Sequence, residues 1–335
     1  MITNVLQKEK KIISELLTDM LETVKNLEFL NIPDDSISKE FKERWNLKLE
    51  KFLSNIEHYK ENEYPIVVLG RWNSGKSTMI NAILGEDILP SANREMTSIL
   101  TKVSYSDEPN VIAQFHNGEH QIVSLSEIEE HISYRGSKYS NELKQIDIQL
   151  NNQLLKSGIC ILDTPGVGSI NELNNTITFD IIPKADSILL TFSASDVGGD
   201  ANLELVEQVF RLNYDNLRNV VLVITKCDTL NENELSEAIE SLKELVRVTQ
   251  EKLGVILEGH VQICMISSYM ELKYRQYLNN KISKEQLLKD NKLRISNINE
   301  IELLHNNSKF DEFYKILDKS ILSSGNKKNV TNNLF

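Results

Sequence analysis

Lys76 and Ser77, set directly behind Gly75 in the run Gly70-Arg71-Trp72-Asn73-Ser74-Gly75-Lys76-Ser77-Thr78, have the types and spacing to hold a polyphosphate. The pattern G-x-x-x-x-G-K-S lets a glycine-spaced loop turn its backbone N–H groups inward around phosphate oxygens. A lysine there reaches the outer phosphates, and the hydroxyl beside it is a ligand for Mg²⁺. Three further stretches carry polar groups in an order that suits the same ligand. Asp163-Thr164-Pro165-Gly166 offers a carboxylate for the hydrated metal and a backbone N–H for the terminal phosphate. Thr225-Lys226-Cys227-Asp228 offers a carboxylate able to accept from guanine N1–H and its 2-amino group together, a donor pair that adenine lacks. The Lys226 stem suits the purine face, and Ser267-Ser268 closes the set.

The elements that must position these residues follow from the apolar pattern. Pro65 to Leu69 reads as a strand buried on both faces, and Met79 to Leu84 as a helix stopped by Gly85. Strands are expected at Gly158–Leu162, Ser187–Phe192, Asn219–Ile224 and Val261–Ile266, with helices at about 200–213 and 234–252 between them. That alternation predicts an α/β fold around a mostly parallel sheet, and each polar stretch then falls at the carboxyl end of a strand, where open sheets bind ligands.

Between the first helix and Asp163 the chain is long. Leu89 to Thr101 is loop-like, and Ile99 to Ser106 resumes an extended pattern. Val111–Phe115 and Gln121–Val123 form a hairpin around Asn117-Gly118. Ser124 with Glu127 resembles a capping box opening a short helix to Ile132, and Lys144 to Leu150 alternates like an edge or antiparallel strand. His116 and His120 bracket the hairpin turn without a third ligand nearby, whereas structural zinc takes four. The segment to Asn175 is rich in Gly, Asn and Ser.

Both ends of the chain read as helical. Ile13, Leu16, Leu17, Met20, Leu21, Val24 and Leu27 form one stripe; Phe41, Trp45, Leu49, Phe52, Ile56 and Tyr59 form a second. Phe310, Phe313, Tyr314, Leu317 and Ile321 repeat the pattern near the carboxyl end, which predicts a helical bundle built from both termini. The expected organisation is N-terminal helices over 1–60, a nucleotide domain over 61–280, C-terminal helices over 281–323 and a disordered tail over 324–335.

A net charge of -12 disfavours a broad nucleic-acid or anionic-membrane surface. Cys160, Cys227 and Cys264 lie in apolar runs without metal spacing, as buried thiols in a reducing cytoplasm do. No apolar run approaches the ~20 residues needed to cross a bilayer, and the charged Lys8–Lys11 segment does not suit a signal-peptide core.

Taken in order, GRWNSGKST, LPSANREMTSILT, DTPG, TKCD and ISS resemble the motifs of the bacterial dynamin-like GTPases over roughly residues 60 to 270. The resemblance implies an enlarged P-loop GTPase sheet with a neck bundle of chain ends beside it. It implies GTP hydrolysis with Mg²⁺, stimulated when two GTPase faces pair in a nucleotide-dependent homodimer. A second dynamin-like chain as partner and membrane remodelling at the inner face of the cell membrane belong to the same expectation, within a cytoplasmic setting and without nucleic acid. Within it, Thr97 is the switch hydroxyl that joins Ser77 and Asp163 at the metal, with Ser98 and Thr101 as rivals. Lys76, Ser77, Thr97 and Gly166 carry the catalysis.

The chain departs from the family pattern at three points. Trp72 stands where animal dynamins have Gln, and is read either as a lid or dimer contact or as packing on the sheet edge. Val167 replaces the water-orienting Gln of Ras-type enzymes, and residues 269–335 leave room for neck helices but not for a membrane arm. Two other readings compete: a GTP-dependent oligomerising scaffold with little hydrolysis, and a ribosome- or tRNA-associated GTPase. The acidic composition argues against the latter.

Overall fold

Among the described residues, nine strands form one sheet. The computed structural model describes residues 63–90, 99–124, 143–166, 181–254, 261–295 and 297–323. The chain divides into two units, Met1–Tyr64 and Pro65–Phe335. The helices expected before residue 60, the short helix after Ser124 and the tail beyond 323 lie outside the described residues.

In chain order the first elements are strand β1 (Tyr64–Gly70) and helix α1 (Lys76–Leu84), followed by β2 (Leu100–Tyr105), β3 (Asn110–Phe115), β4 (His120–Val123) and β5 (Leu143–Leu150). Next come α2 (Gln153–Lys156), β6 (Ile159–Asp163), β7 (Ser187–Ser193), α3 (Asp200–Leu212), β8 (Val220–Thr225), α4 (Glu232–Leu253) and β9 (Gln262–Met265). Helices α5 (Ser268–Leu278), α6 (Lys284–Leu288), α7 (Ile301–Ser308) and α8 (Phe310–Ser323) follow.

β1, β7, β8 and β9 run parallel, and β2, β3, β4 and β5 extend the sheet beyond β6. In this added half β2 pairs parallel with β5 but antiparallel with β6, while β3 is antiparallel to both β4 and β5. The hairpin turn forms at Asn117-Gly118 as its residue types require, with Gly118 at φ 87°. β5 is not an edge. Its alternation comes from a mixed interior position in which Leu143, Ile146 and Ile148 are buried and Lys144 is exposed.

Side-chain parity along the central strands assigns the helices to two layers. Val67, Leu69, Ile188, Leu190, Leu222 and Ile224 share a core with Leu205, Val206, Val209 and Phe210 of α3 and Ala238 and Leu242 of α4. The opposite parity faces the carboxyl end of the chain: α8 lies across β7, β8 and β9, and the Ser320 hydroxyl meets that of Ser187 at 2.6 Å. The stripe Phe310, Phe313, Tyr314, Leu317 and Ile321 is buried on α8, which packs on the sheet; the N-terminal helices expected as its partner lie outside the described residues. An apolar stripe specifies a partner surface but not which one, and the sheet face is the larger apolar surface.

Beyond α5, Leu287, Leu293, Ile301 and Leu304 gather into a small separate core with Tyr269, Met270 and Tyr274. The expected boundary at residue 280 falls between α5 and α6. No helix among the described residues is long and apolar enough to cross a membrane.

Candidate functional site

The loop from Gly70 to Ser77 is held in shape by contacts that leave no room for larger residues. A Cβ on Gly70 would stand 2.2 Å from Thr191 Oγ1 and 2.5 Å from Ser74 Oγ, and one on Gly75 would stand 2.8 Å from Thr225 Oγ1. Gly75 also has φ 90°, a conformation that L residues avoid. Thr191 on β7 donates to Leu69 O at 2.9 Å and shares a 2.6 Å bond with Ser74 Oγ. Thr225 at the end of β8 donates to Ser74 O at 2.6 Å and Phe192 O at 3.1 Å. Two threonines at strand ends thus fix the loop's backbone.

Lys76 begins α1 and folds back over the loop, donating to Gly70 O and Arg71 O, both at 3.1 Å. Burial lowers its pKa, and the Asp163 carboxylate opposes that shift. A buried ammonium that donates to two backbone carbonyls is suited to an incoming anion. α1 points the same way: Gly75 supplies no side-chain cap and the first turn holds no acid, so the positive end of the helix faces the loop.

Asp163, at the end of β6, is fully buried and accepts from the Ser77 hydroxyl at 3.2 Å. These two oxygens form the donor set that a hard divalent cation prefers, so the residues fit Mg²⁺. Gly166 lies against the phosphate loop: a Cβ there would be 3.1 Å from the Trp72 backbone nitrogen. Thr164 ties the same stretch to β1 through Val68 O at 2.9 Å.

The base-reading loop arrives from the next strand ends. Asp228 accepts from Ser267 Oγ at 2.5 Å, and Ser267 also caps α5 by accepting from Met270 N at 3.3 Å. Ser268 is buried and its hydroxyl has no partner among the described residues. Lys226, at φ 59°, donates to Asn73 O at 2.7 Å and Asn73 Oδ1 at 2.9 Å. Burial lowers the Lys226 pKa against the pull of Asp228, and pushes the half-buried Cys227 thiol up to about 12, which disfavours its thiolate.

The structure thus gathers the residues of all four stretches at one rim, from Gly70 through Thr78, Asp163, Gly166, Thr225, Lys226, Asp228, Ser267 and Ser268. Thr97, its rival Ser98 and Val167 lie outside the described residues. Thr101, the other rival, is fully buried in β2 and paired in register with Asp163, so it belongs to the sheet. Trp72 is 55% exposed at the loop, which removes the reading as packing on the sheet edge. His116 and His120 are both exposed on the hairpin. Thr191 escaped the sequence analysis. The one signal was a hydroxyl interrupting the apolar run Ser187–Phe192.

Residues 66–227, which run from β1 to the base-reading loop, match the model of the dynamin family. These residues form a dynamin-family domain. Proteins of this family bind GTP or GDP with Mg²⁺. Among curated dynamin relatives, the chain is 26% identical over 302 residues to Dynamin-like protein 1 of Campylobacter jejuni, covering 79% of this chain and 40% of that protein. It is 27% identical over 201 residues to the bacterial dynamin-like protein of Nostoc punctiforme, covering 54% of this chain and 27% of that one. A Caldicellulosiruptor protein encoded in the xynA 3′ region is 28% identical over 228 residues, 67% of this chain and 54% of its own length. The chain therefore spans about half or less of the curated relatives it matches.

A solved structure of an oligomerised bacterial dynamin pair, described as a mechanism for long-range sensing and tethering of membranes, superposes with a TM-score of 0.53 at 21% identity. The match covers 94% of this chain and 45% of that one, and speaks to the dynamin fold.

Proposed function

We propose that this dynamin-family chain hydrolyses GTP to GDP and phosphate, and that pairing of two nucleotide-bound faces accelerates the step. The observation that carries the proposal is the convergence of the buried Lys76, the Ser77–Asp163 pair and the Ser267-bound Asp228 on one rim.

In this reading Lys76 and the amides of residues 71–78 bind and orient the polyphosphate, and Asp228 selects guanine. Ser77, Asp163 and the switch hydroxyl of Thr97 would hold Mg²⁺, which neutralises charge on the phosphates when bound. The Gly166 amide steadies the terminal phosphate as negative charge builds on its oxygens. Catalysis of this kind is positioning plus electrostatics, and one well-placed donor is worth roughly 10²–10³ in rate. Water positioning is assigned to the paired face, which includes the exposed Trp72.

Turnover per molecule, measured against protein concentration with Lys76→Ala as the inactive reference, tests the proposal. A rise with concentration fits a dimer-stimulated enzyme. Turnover that stays flat and near the Lys76→Ala level would favour the GTP-dependent scaffold, in which nucleotide binding drives assembly without hydrolysis.

A further inference from the structure

We infer that Arg275 is a positioning residue of the nucleotide site, holding the far end of α1 so that the phosphate and base subsites keep a fixed separation. The inference rests on the guanine-nucleotide reading above and deepens it.

α1 carries the phosphate-binding lysine at its head and ends at Gly85 with no basic residue in its last turn. The Gly85 N–H meets Asn81 O at 2.8 Å and Ala82 O at 3.3 Å, which leaves the carbonyls of Ile83 and Leu84 to be met from outside the helix end. Arg275 Nη1 on α5 donates to Ala82 O at 3.1 Å and Ile83 O at 2.7 Å, while Asn152 Nδ2 donates to Leu84 O at 3.0 Å. A guanidinium placed there also complements the negative end of the α1 dipole. The approach is close enough that a Cβ on Gly85 would stand 3.1 Å from Arg275 Nε. The next residue adds a second strap, Gln276 Nε2 to Asp87 Oδ2 at 2.6 Å.

The same helix α5 opens at Ser267, whose hydroxyl holds the Asp228 carboxylate. Residues 267 and 275 are separated by about 12 Å of helical rise. One rigid rod therefore grips the base-reading loop at its head and the tail of the phosphate-binding helix two turns later. Arg275 Nη1 further donates to the buried Tyr314 hydroxyl of α8 at 3.1 Å, so the rod is seated against the sheet's carboxyl-terminal layer. A ligand that must satisfy Asp228 and Lys76 at once depends on this spacing. A ligand touching only one subsite does not.

The test compares binding of GDP, guanosine and inorganic tripolyphosphate to wild type, Arg275→Ala and Arg275→Lys, each with melting temperature recorded. The expected result is a GDP Kd raised about tenfold in Arg275→Ala, as lost coupling between linked subsites predicts. Guanosine and tripolyphosphate affinities stay at wild-type values, and Arg275→Lys recovers part of the GDP loss. An unchanged GDP Kd, or equal losses for all three ligands, would overturn the inference and leave the site assignment standing. Should Arg275→Ala not fold, the Lys variant and Gln276→Leu decide on the same readout. Failure of wild type itself to bind GDP would instead strike the proposed function.

Discussion

The Lys226 ammonium bonds both oxygens of Asn73, the backbone carbonyl at 2.7 Å and the side-chain amide at 2.9 Å, and both residues hold left-handed backbones. The Thr225–Asp228 loop and the Gly70–Ser77 loop are thereby fastened to each other. Asparagine is among the few residues that adopt this conformation at low cost, so position 73 serves the turn and the fastening together.

Asp228→Asn should move preference from guanine toward xanthine nucleotides, because the amide presents a donor where the carboxylate accepted two. Competition binding with GDP and xanthosine diphosphate reads this directly. An unchanged preference places base recognition elsewhere.

Gly75→Ala should cost about 1–2 kcal/mol from its left-handed backbone alone, with further loss as its methyl meets Thr225 Oγ1. Chemical denaturation gives the stability change, and GDP titration should show binding weakened by about tenfold or more, since about 1.4 kcal/mol is tenfold in an equilibrium constant.

Phe313→Ala should destabilise the fold by about 3–5 kcal/mol, the usual cost of emptying a buried aromatic position. Phe313 is fully buried with Phe310 and Tyr314 on α8. A urea midpoint unchanged by the substitution would show that α8 is not an integral layer of the sheet.

His305 provides a pH dependence. Burial disfavours its cation, but Glu271 at 2.8 Å on Nδ1 and Asp311 at 3.0 Å on Nε2 outweigh that and raise its pKa in the fold, with Tyr274 stacked on the ring. A raised folded pKa gives stability that is fully present below the unfolded value of about 6.5 and is lost as pH rises through the folded value. Wild type should therefore exceed His305→Gln most at pH 5.5–6, with the gap narrowing toward alkaline pH in urea melts.

The parallel half of the fold was legible because strands buried on both faces leave continuous runs such as Ile66–Leu69, and the polar stretches mark where those runs stop. The destination of the α8 stripe was not. Phe310 to Ile321 announces an apolar face, yet nothing local distinguishes a sheet from another helix as its cover. β5 was legible in part: its alternation suits the strand antiparallel to β3 that it is, while Lys144 at its start and Asp147 mimic an exposed edge, although Asp147 is met inside the sheet by Gln114 and Gln145. Arg275 was invisible to motif reading altogether, since the carbonyls it meets are distant in sequence and belong to the backbone.

The hairpin β3–β4 closes the sheet at the end remote from the nucleotide rim, with β3, β5, β2 and β6 between β4 and β1, or about 24 Å at ordinary strand spacing. A Cβ added at Gly118 would meet nothing within 4 Å among the described residues. A fluorophore or short epitope placed at Asn117-Gly118 would consequently report tumbling and self-association of this chain without touching the chemistry, a handle supplied by the fold itself.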